Sequence, residues 1–543
     1  MATSALFGAA PLHADSTQTP QDRADPAVVV DELRKPENGR KPGPPPQLRL
    51  EVPEADAAVA RPMRIDAIRL EGAAALPPSA FREAIQAFKG RMLGERELED
   101  LATAVAQVAR DRGYGLASAW IPQQTVTGGL LRVEIDEGRI DELRVTGDGA
   151  DSVRPYLESL ATGAPVRTSD LERSLMLAGD LPGIAIGKPK LERIDGRAVL
   201  AVRTSRDAVR ARASLDNWGS GTVGPVRAHV SVDFNGLVGG DRLTIGGVIT
   251  PLDIKEFQLA RIAYAKMLGS GTQLSASAYA ARSRPGGALS DRDFEGRSLE
   301  GSIGVEHAFL RSRDASLWGE VDFTVRDSKQ MLDGRTLRKD RLAILSAGAT
   351  TAIDLAGGTA RARLTASRGL DVLDATRDDD PLRSRRDGSA VFTKFSAWAD
   401  YDQTLWGPFS LQLQAEGQVA SRPLLSSEEM GLGGRYFLRG YDYREFSGDK
   451  GIAGSLELRF DLPKLGAPLR SAQLYVYADA GTVGNYGIGT GGGSLASAGG
   501  GIRALLGRGL DASLEVGVPL RDGADPDEER DPRISFVIGS RFE

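Results

Sequence analysis

The residues able to do nucleophilic, acid–base or metal chemistry are few in this 543-residue chain. It has no Cys, which excludes thiol nucleophiles, thiolate metal sites and disulfides and suits passage through an oxidising compartment. Its three histidines, His13, His229 and His307, include no i, i+4 pair, which argues against a His-rich zinc site. No G-x-S-x-G, H-E-x-x-H or G-x-x-x-x-G-K segment is present, so no hydrolase, zinc-protease or phosphate-loop constellation can be named. Gly487-x-Gly489-x-x-Gly492 opens no helix and reads as a flexible loop. The acidic run Asp378 to Asp380 and the cluster Asp525 to Asp531 read as solvated turns rather than calcium sites. No catalytic, cofactor-binding or metal-ligating residue is assigned, and an enzyme is not expected. A formal charge of −6 without a basic block argues against nucleic acid as a partner.

The elements that carry these residues are rich in Gly, 65 in all, which favours turns and close backbone approaches over a helical protein. No stretch approaches 18 consecutive apolar residues, so a spanning helix is excluded and a soluble protein or an outer-membrane barrel remains. Residues 1 to 14 read as the remnant of a secretory signal. Residues 15 to 62 hold nine prolines, leave room for one short helix at Ala27 to Lys35, and read as an extended linker rather than a plug. Residues 63 to 138 follow the order strand, helix, helix, strand, strand, with Leu98, Leu101, Val105 and Val108 on one helix face. Residues 139 to 205 repeat that order, with Ser169 and Glu172 expected to form a capping box.

From 206 to 543 helical periodicity vanishes. Val209, Ala211, Ala213 and Leu215 alternate with Arg210, Arg212, Ser214 and Asp216, and Leu317 to Arg326 alternates likewise. Such strands fit a soluble sandwich, or a membrane barrel with the apolar set facing lipid and the charged set a wet lumen. Size favours the barrel, since at about 10 residues per crossing this region supplies roughly 14 to 16 strands. His229 and His307 then become lumen or interface side chains.

Several segments resemble the outer-membrane translocators of two-partner secretion, the TpsB proteins that export haemolysins and filamentous haemagglutinins. In the first module these are Gly113-Tyr114, Ile121-Pro122-Gln123-Gln124, Gly129-Leu130-Leu131-Arg132-Val133 and Glu137-Gly138-Arg139-Ile140; in the second, Leu181-Pro182-Gly183-Ile184. Asp216-Asn217-Trp218-Gly219 with Thr222-Val223-Gly224 is similar to the family's barrel-opening D-N-x-G segment, with a departure at Val223. The most specific match runs from Pro423 to Gly433-Gly434, through Phe437-Leu438-Arg439-Gly440-Tyr441 to Gly448-Asp449-Lys450-Gly451, and is followed by Tyr477-Ala478-Asp479-Ala480-Gly481.

The resemblance implies a mainly β protein: a transmembrane barrel of about 16 antiparallel strands behind two periplasmic α+β POTRA domains, in the outer membrane of a Gram-negative bacterium. It implies an inward loop near 431 to 451, anchored by Arg439, Gly440 and Tyr441 on a wall carboxylate, Asp479. Gly440 would permit a tight tip and Arg439 a bidentate, charge-assisted pair. The motif residues carried over are Asp216, Asn217, Gly219, Gly433, Gly434 and Gly481, with Phe542 as the barrel's C-terminal signal, here followed by Glu543. The implied cargo is a secreted β-helical exoprotein, an adhesin or haemolysin, translocated without nucleotide hydrolysis or cofactor. Outer-membrane lipid and the barrel-assembly machinery are the other expected partners. A barrel insertase of the same superfamily and a passive porin are the alternatives; two modules and the D-N-x-G segment speak against the first, and the modules make the second awkward.

Overall fold

The computed structural model describes residues 23–34, 49–50, 62–221, 223–286, 293–463, 466, 468–487, 492–524 and 530–542. The signal reading of residues 1 to 14, Thr222, Gly489 and most of the Asp525 to Asp531 cluster lie outside them.

Beyond Val209 the alternating strands close on themselves. Sixteen strands run from Val209–Asp216 to Arg533–Phe542, and the first pairs antiparallel with the last, Ala211 opposite Phe542 and Asp216 opposite Val537. Parity sets the faces: on Glu295–Arg311, Leu299 and Ile303 are 61% and 62% exposed outside, whereas Ser298 and Glu300 are buried inside. Leaving such side chains in water would forfeit about 1.5–3 kcal/mol each. A hydrocarbon surround removes that loss, so the barrel crosses the membrane with its strands. His229 faces the lumen, its Nε2 2.8 Å from Asp216. His307 accompanies Phe309 near the periplasmic end of its strand, ring centroids 4.9 Å apart.

The first module packs a sheet of Ala67–Glu71, Leu130–Asp136 and Ser118–Trp120 against the helices Arg82–Gln86 and Glu95–Asp111. Leu98, Leu101, Val105 and Ala109 meet Leu131, Val133 and Ile135 there, as the apolar spacing requires. The second module sets the helices Ala150–Leu157 and Thr168–Gly179 on a sheet of Glu142–Gly147, Arg197–Arg206, Lys190–Ile194 and Ile184–Ile186. Lys190–Ile194 was not expected, because its polar K-L-E-R-I pattern hides a strand, and Arg49–Leu50 pairs with it in parallel. The expected Ser169–Glu172 capping box is absent. The helix begins two residues earlier, at Thr168 with Arg167 as its N-cap, and the Thr168 hydroxyl accepts from Gly115 N–H at 2.8 Å and donates to Gly113 O at 3.1 Å, tying the two modules together. Glu172 instead pairs with Arg313 of the barrel at 3.0 Å.

That same helix docks the second module on the barrel rim. Arg311 reaches both Asp180 oxygens, at 2.8 and 2.9 Å, and Arg173 donates to Ala308 O at 2.8 Å. Leu177 and Leu181 join Met267, Ala308 and Trp318 in one apolar cluster. The Tyr156 hydroxyl donates to Leu268 O at 2.8 Å; burial, with Asp180 nearby, pushes its pKa up to about 12, so it remains a donor. Arg311→Ala should loosen this dock by about 1.5–3 kcal/mol, the usual worth of charged hydrogen bonds. The check is limited proteolysis of the junction near residue 207, which should quicken by roughly tenfold or more, a factor of ten being ~1.4 kcal/mol; an unchanged rate would locate the docking energy in the apolar cluster.

Residues 15 to 62 are not merely a linker. The helix Pro26–Arg34 lies inside the barrel toward the extracellular mouth, where Val29 and Val30 pack on Val248, Phe257, Leu259 and Tyr279 of the wall. Asp25 caps it by accepting from Ala27 N–H at 2.8 Å and also accepts from Ser328 Oγ at 2.8 Å. Barrel burial supplies what nine residues lack on their own.

Candidate functional site: the inward loop and its anchor

Between the strands Phe409–Ala420 and Lys450–Asp461 the chain turns back into the lumen, carrying a short hairpin of Met430–Leu432 with Phe446–Gly448. Met430, Leu432, Phe437, Leu438 and Phe446 give it a small apolar core against Ala453, Val483 and Leu495 of the wall. Its tip brings Arg439 onto Asp479. Nε and Nη2 each lie 3.1 Å from one carboxylate oxygen, and the Arg439 backbone N–H adds a third bond at 3.1 Å. Arg439 and Asp479 are 6% and 3% exposed, so neither is a solvated surface charge.

The guanidinium has further partners that motif reading did not find. Nη1 donates to Glu457 at 2.8 Å and lies 3.4 Å from Glu515, Nη2 donates to Ser455 at 3.1 Å, and the group sits 3.4 Å from the Tyr477 ring centroid. Glu457 is shared with Arg503 at 2.7 Å and Arg459 at 2.7 Å, and the Tyr475 hydroxyl donates to Glu515 at 2.8 Å. Three arginines thus meet these three carboxylates, and Arg459 also donates to Asp402 at 2.8 Å, so the buried carboxylates all face cations. Alternation could have found them: in Ser455-Leu456-Glu457-Leu458-Arg459 the polar residues share a face, and Ser455 lies opposite Asp479 while Glu457 lies opposite Tyr477. Tyr475 and Tyr477 both face inward.

Gly440 is required for a different reason from the one expected. The left-handed residue at the tip is Leu438, with φ 63°. At Gly440 a Cβ would stand 3.0 Å from Ser497 Cβ, Pro519 N and Val518 C, so a side chain there would crowd the wall. The Tyr441 hydroxyl lies 2.8 Å from the carbonyls of Ala496 and Arg521 and accepts from Arg521 N–H at 3.0 Å. Gly433 and Gly434 take φ of 100° and 104° at the hairpin's exit, and Gly481 meets Leu432 of the loop.

The barrel-opening segment reaches the same loop. Asp216 accepts from Trp218 N–H at 2.9 Å and Arg227 at 3.1 Å, closing a turn in which Gly219 N–H donates to Pro225 O at 3.0 Å. Asn217 bridges the seam of first and last strands, donating to Ile534 O at 2.8 Å and accepting from Phe536 N–H at 2.7 Å. Arg533 joins seam and loop, donating to Tyr441 O at 3.0 Å and Asp442 at 2.8 Å and to Gly219 O at 3.2 Å. Phe542 is not part of this assembly; it lies at the opposite end of the seam.

The loop also holds the lumen helix. Tyr443 donates to Val28 O at 2.5 Å, and Arg23 pairs with Glu445 at 3.0 Å. Arg385, from the loop before Thr393–Thr404, binds Asp449 at 2.8 Å and Glu429 at 3.0 Å and so clamps the loop's two ends at the extracellular mouth. No group of three or more His, Cys, Asp or Glu among the described residues is arranged to hold a metal.

Residues 196–504 match the family model of the haemolysin secretion/activation proteins ShlB/FhaC/HecB, and residues 63–138 match the ShlB-type POTRA domain. Over 391 residues the chain is 24% identical to the heme/hemopexin transporter protein HuxB of Haemophilus influenzae (strain 86-028NP), spanning 69% of this chain and 68% of that protein. It is also 24% identical over 375 residues to the outer membrane transporter CdiB of Dickeya dadantii (strain 3937), 65% of each. The solved structure of CdiB from Escherichia coli superposes with a TM-score of 0.73 at 19% identity, covering 97% of this chain and all of that one.

Proposed function

The chain belongs to the haemolysin secretion/activation protein family ShlB/FhaC/HecB, outer-membrane transporters of two-partner secretion, and on that premise we propose that it exports one unfolded β-helical exoprotein, an adhesin or haemolysin. The observation that carries this reading is a lumen entered by two segments of the chain itself, the helix Pro26–Arg34 and the inward loop, each packed on the wall through apolar side chains and tied to it by polar contacts. A passive porin has no use for a stopper that must leave; a polypeptide conduit does. Cargo would first meet the modules in the periplasm, adding as a strand to an open sheet edge, of which Ser118–Trp120 and Glu142–Gly147 are the candidates. It would then displace helix and loop and fold outside, and that folding, not nucleotide hydrolysis, would draw it across. The barrel-assembly machinery would insert the protein through its last strand, ending at Phe542.

The test is conductance of the refolded full chain in planar bilayers with and without a purified N-terminal fragment of the exoprotein encoded beside it. Binding that changes channel opening, and that single Cys photocrosslinkers at Ala119 or Arg144 capture, supports the reading. Conductance indifferent to any polypeptide refutes it.

A further inference from the structure

We propose that the outward face of the barrel at its extracellular rim binds the phosphorylated headgroup of an outer-leaflet glycolipid through a ladder of basic residues: Arg282, Arg297, Lys329 and Lys339. The four stand on successive strands and are directly paired in register, Arg282 opposite Arg297, Arg297 opposite Lys329, and Lys329 opposite Lys339. At about 4.8 Å between strands the row is about 14 Å long. Its face is fixed by parity. Arg297 precedes the exposed Leu299 and Ile303 by two and six residues, whereas the lumen set on these strands, Ser298, Glu300, Arg326, Ser328 and Asp340, is buried. The ladder therefore sits where the apolar outer band ends, at headgroup depth.

Like charges directly opposite on one sheet face destabilise each other unless an anion lies across them. Within the barrel the same strands obey that rule, Arg326 pairing with Glu300 at 2.8 Å and Glu428 at 2.7 Å. Outside, only one end of the row does. Glu295, one row further toward the loop on the same face, is shared among Arg282 at 2.9 Å, Arg284 at 3.2 Å and Arg297 at 2.5 Å. Among the described residues no acidic side chain forms a salt bridge with Lys329 or Lys339, and Asp327, one row down, is engaged by Arg341 at 2.8 Å. Five cations facing one carboxylate, spread along a row and bordering hydrocarbon, fit a ligand with more than one phosphate and with acyl chains below it. A lone phosphate would satisfy one end only, and a singly charged phospholipid likewise. The proposal rests on the outer-membrane placement and on no cargo, so a failed secretion assay would leave it standing.

The test is binding by the full chain in a neutral detergent, followed by native mass spectrometry and by the midpoint of the heat-induced gel shift that reports an intact barrel. The probes are bis-phosphorylated lipid A, the same lipid with both phosphates removed, phosphatidylglycerol and inorganic phosphate. Bis-phosphorylated lipid A should bind at least tenfold more tightly than the other three. Arg297→Gln/Lys329→Gln should lose tenfold or more of that affinity, and Lys255→Gln, at an exposed lysine in another extracellular loop, none. Should the central pair fail to assemble, Arg282→Gln/Lys339→Gln at the ladder's ends carries the same expectation. With no glycolipid present, Lys329→Gln/Lys339→Gln should raise the gel-shift midpoint by relieving repulsion. Equal affinity of ladder variants and wild type, equal binding of dephosphorylated lipid, saturation by inorganic phosphate alone, or a lowered midpoint would each overturn the proposal.

Discussion

Arg439→Ala should reach the cell surface as an intact barrel yet secrete its exoprotein at least roughly tenfold less than wild type. The substitution leaves the buried carboxylates of Asp479, Glu457 and Glu515 with Arg503 and Arg459 as the cluster's remaining cations, and Arg459 is shared with Asp402. Removing one partner of a buried charge network costs about 3–5 kcal/mol. The loss falls on the loop, because the sixteen-strand ladder does not pass through Arg439, so assembly survives while the tip at Gly440 and Tyr441 lifts from the wall. Arg439→Lys should secrete at an intermediate level, since an ammonium keeps the charge but cannot reach Asp479, Glu457 and Ser455 in one fork. Arg439→Ala/Asp479→Ala should be less impaired than the sum of the single changes, as expected of direct partners. The readout is secreted cargo at matched surface abundance; undiminished secretion by Arg439→Ala would remove the anchor from the transport mechanism.

How much of this assembly could be read in advance depends on the kind of information each part needs. Arg439 and Asp479 were legible because short motifs carry them. Glu457, Glu515 and Arg503 were half legible: alternation puts each on a lumen face, but which of them meet depends on register between neighbouring strands. Register follows from turn lengths and a one-residue slip inverts it, so composition cannot supply it. Barrel, strand number and both modules followed from period and length, whereas Lys190–Ile194 escaped because a half-exposed strand with charges on both faces has no period to detect. The Ser169–Glu172 box failed because the helix begins at Thr168 with Arg167 as its N-cap, so Ser169 lies within the first turn and cannot cap it, and Glu172 is left to pair with Arg313. The position of Pro26–Arg34 was illegible for a different reason: its burial partners, Phe257 and Tyr279 among them, lie more than two hundred residues away.

Deleting residues 23–34 should turn a mostly closed channel into one with a several-fold larger and steadier conductance in planar bilayers. A helix with its side chains is about 10–12 Å across, enough to fill much of what the inward loop leaves open. Its contacts with the barrel interior are of two sorts. Val29 and Val30 contribute apolar burial, which holds the helix against any solvent-filled alternative. Tyr443 to Val28 O, Arg23 to Glu445 and Ser328 to Asp25 contribute orientation, the first a neutral bond worth about 0.5–1.5 kcal/mol net and the two charged ones about 1.5–3 kcal/mol each. Tyr443→Phe should therefore raise the open probability by up to about tenfold without altering the size of the fully open state. Two of those three contacts come from the loop that Arg439 anchors. Loosening the anchor must then loosen the helix, and Arg439→Ala should by itself increase opening events. Adding Arg439→Ala to the deletion should change conductance little further, because the element through which it acts is gone. Additive effects instead would mean that helix and loop close the pore independently, and a deletion with wild-type conductance would mean that the loop alone closes it.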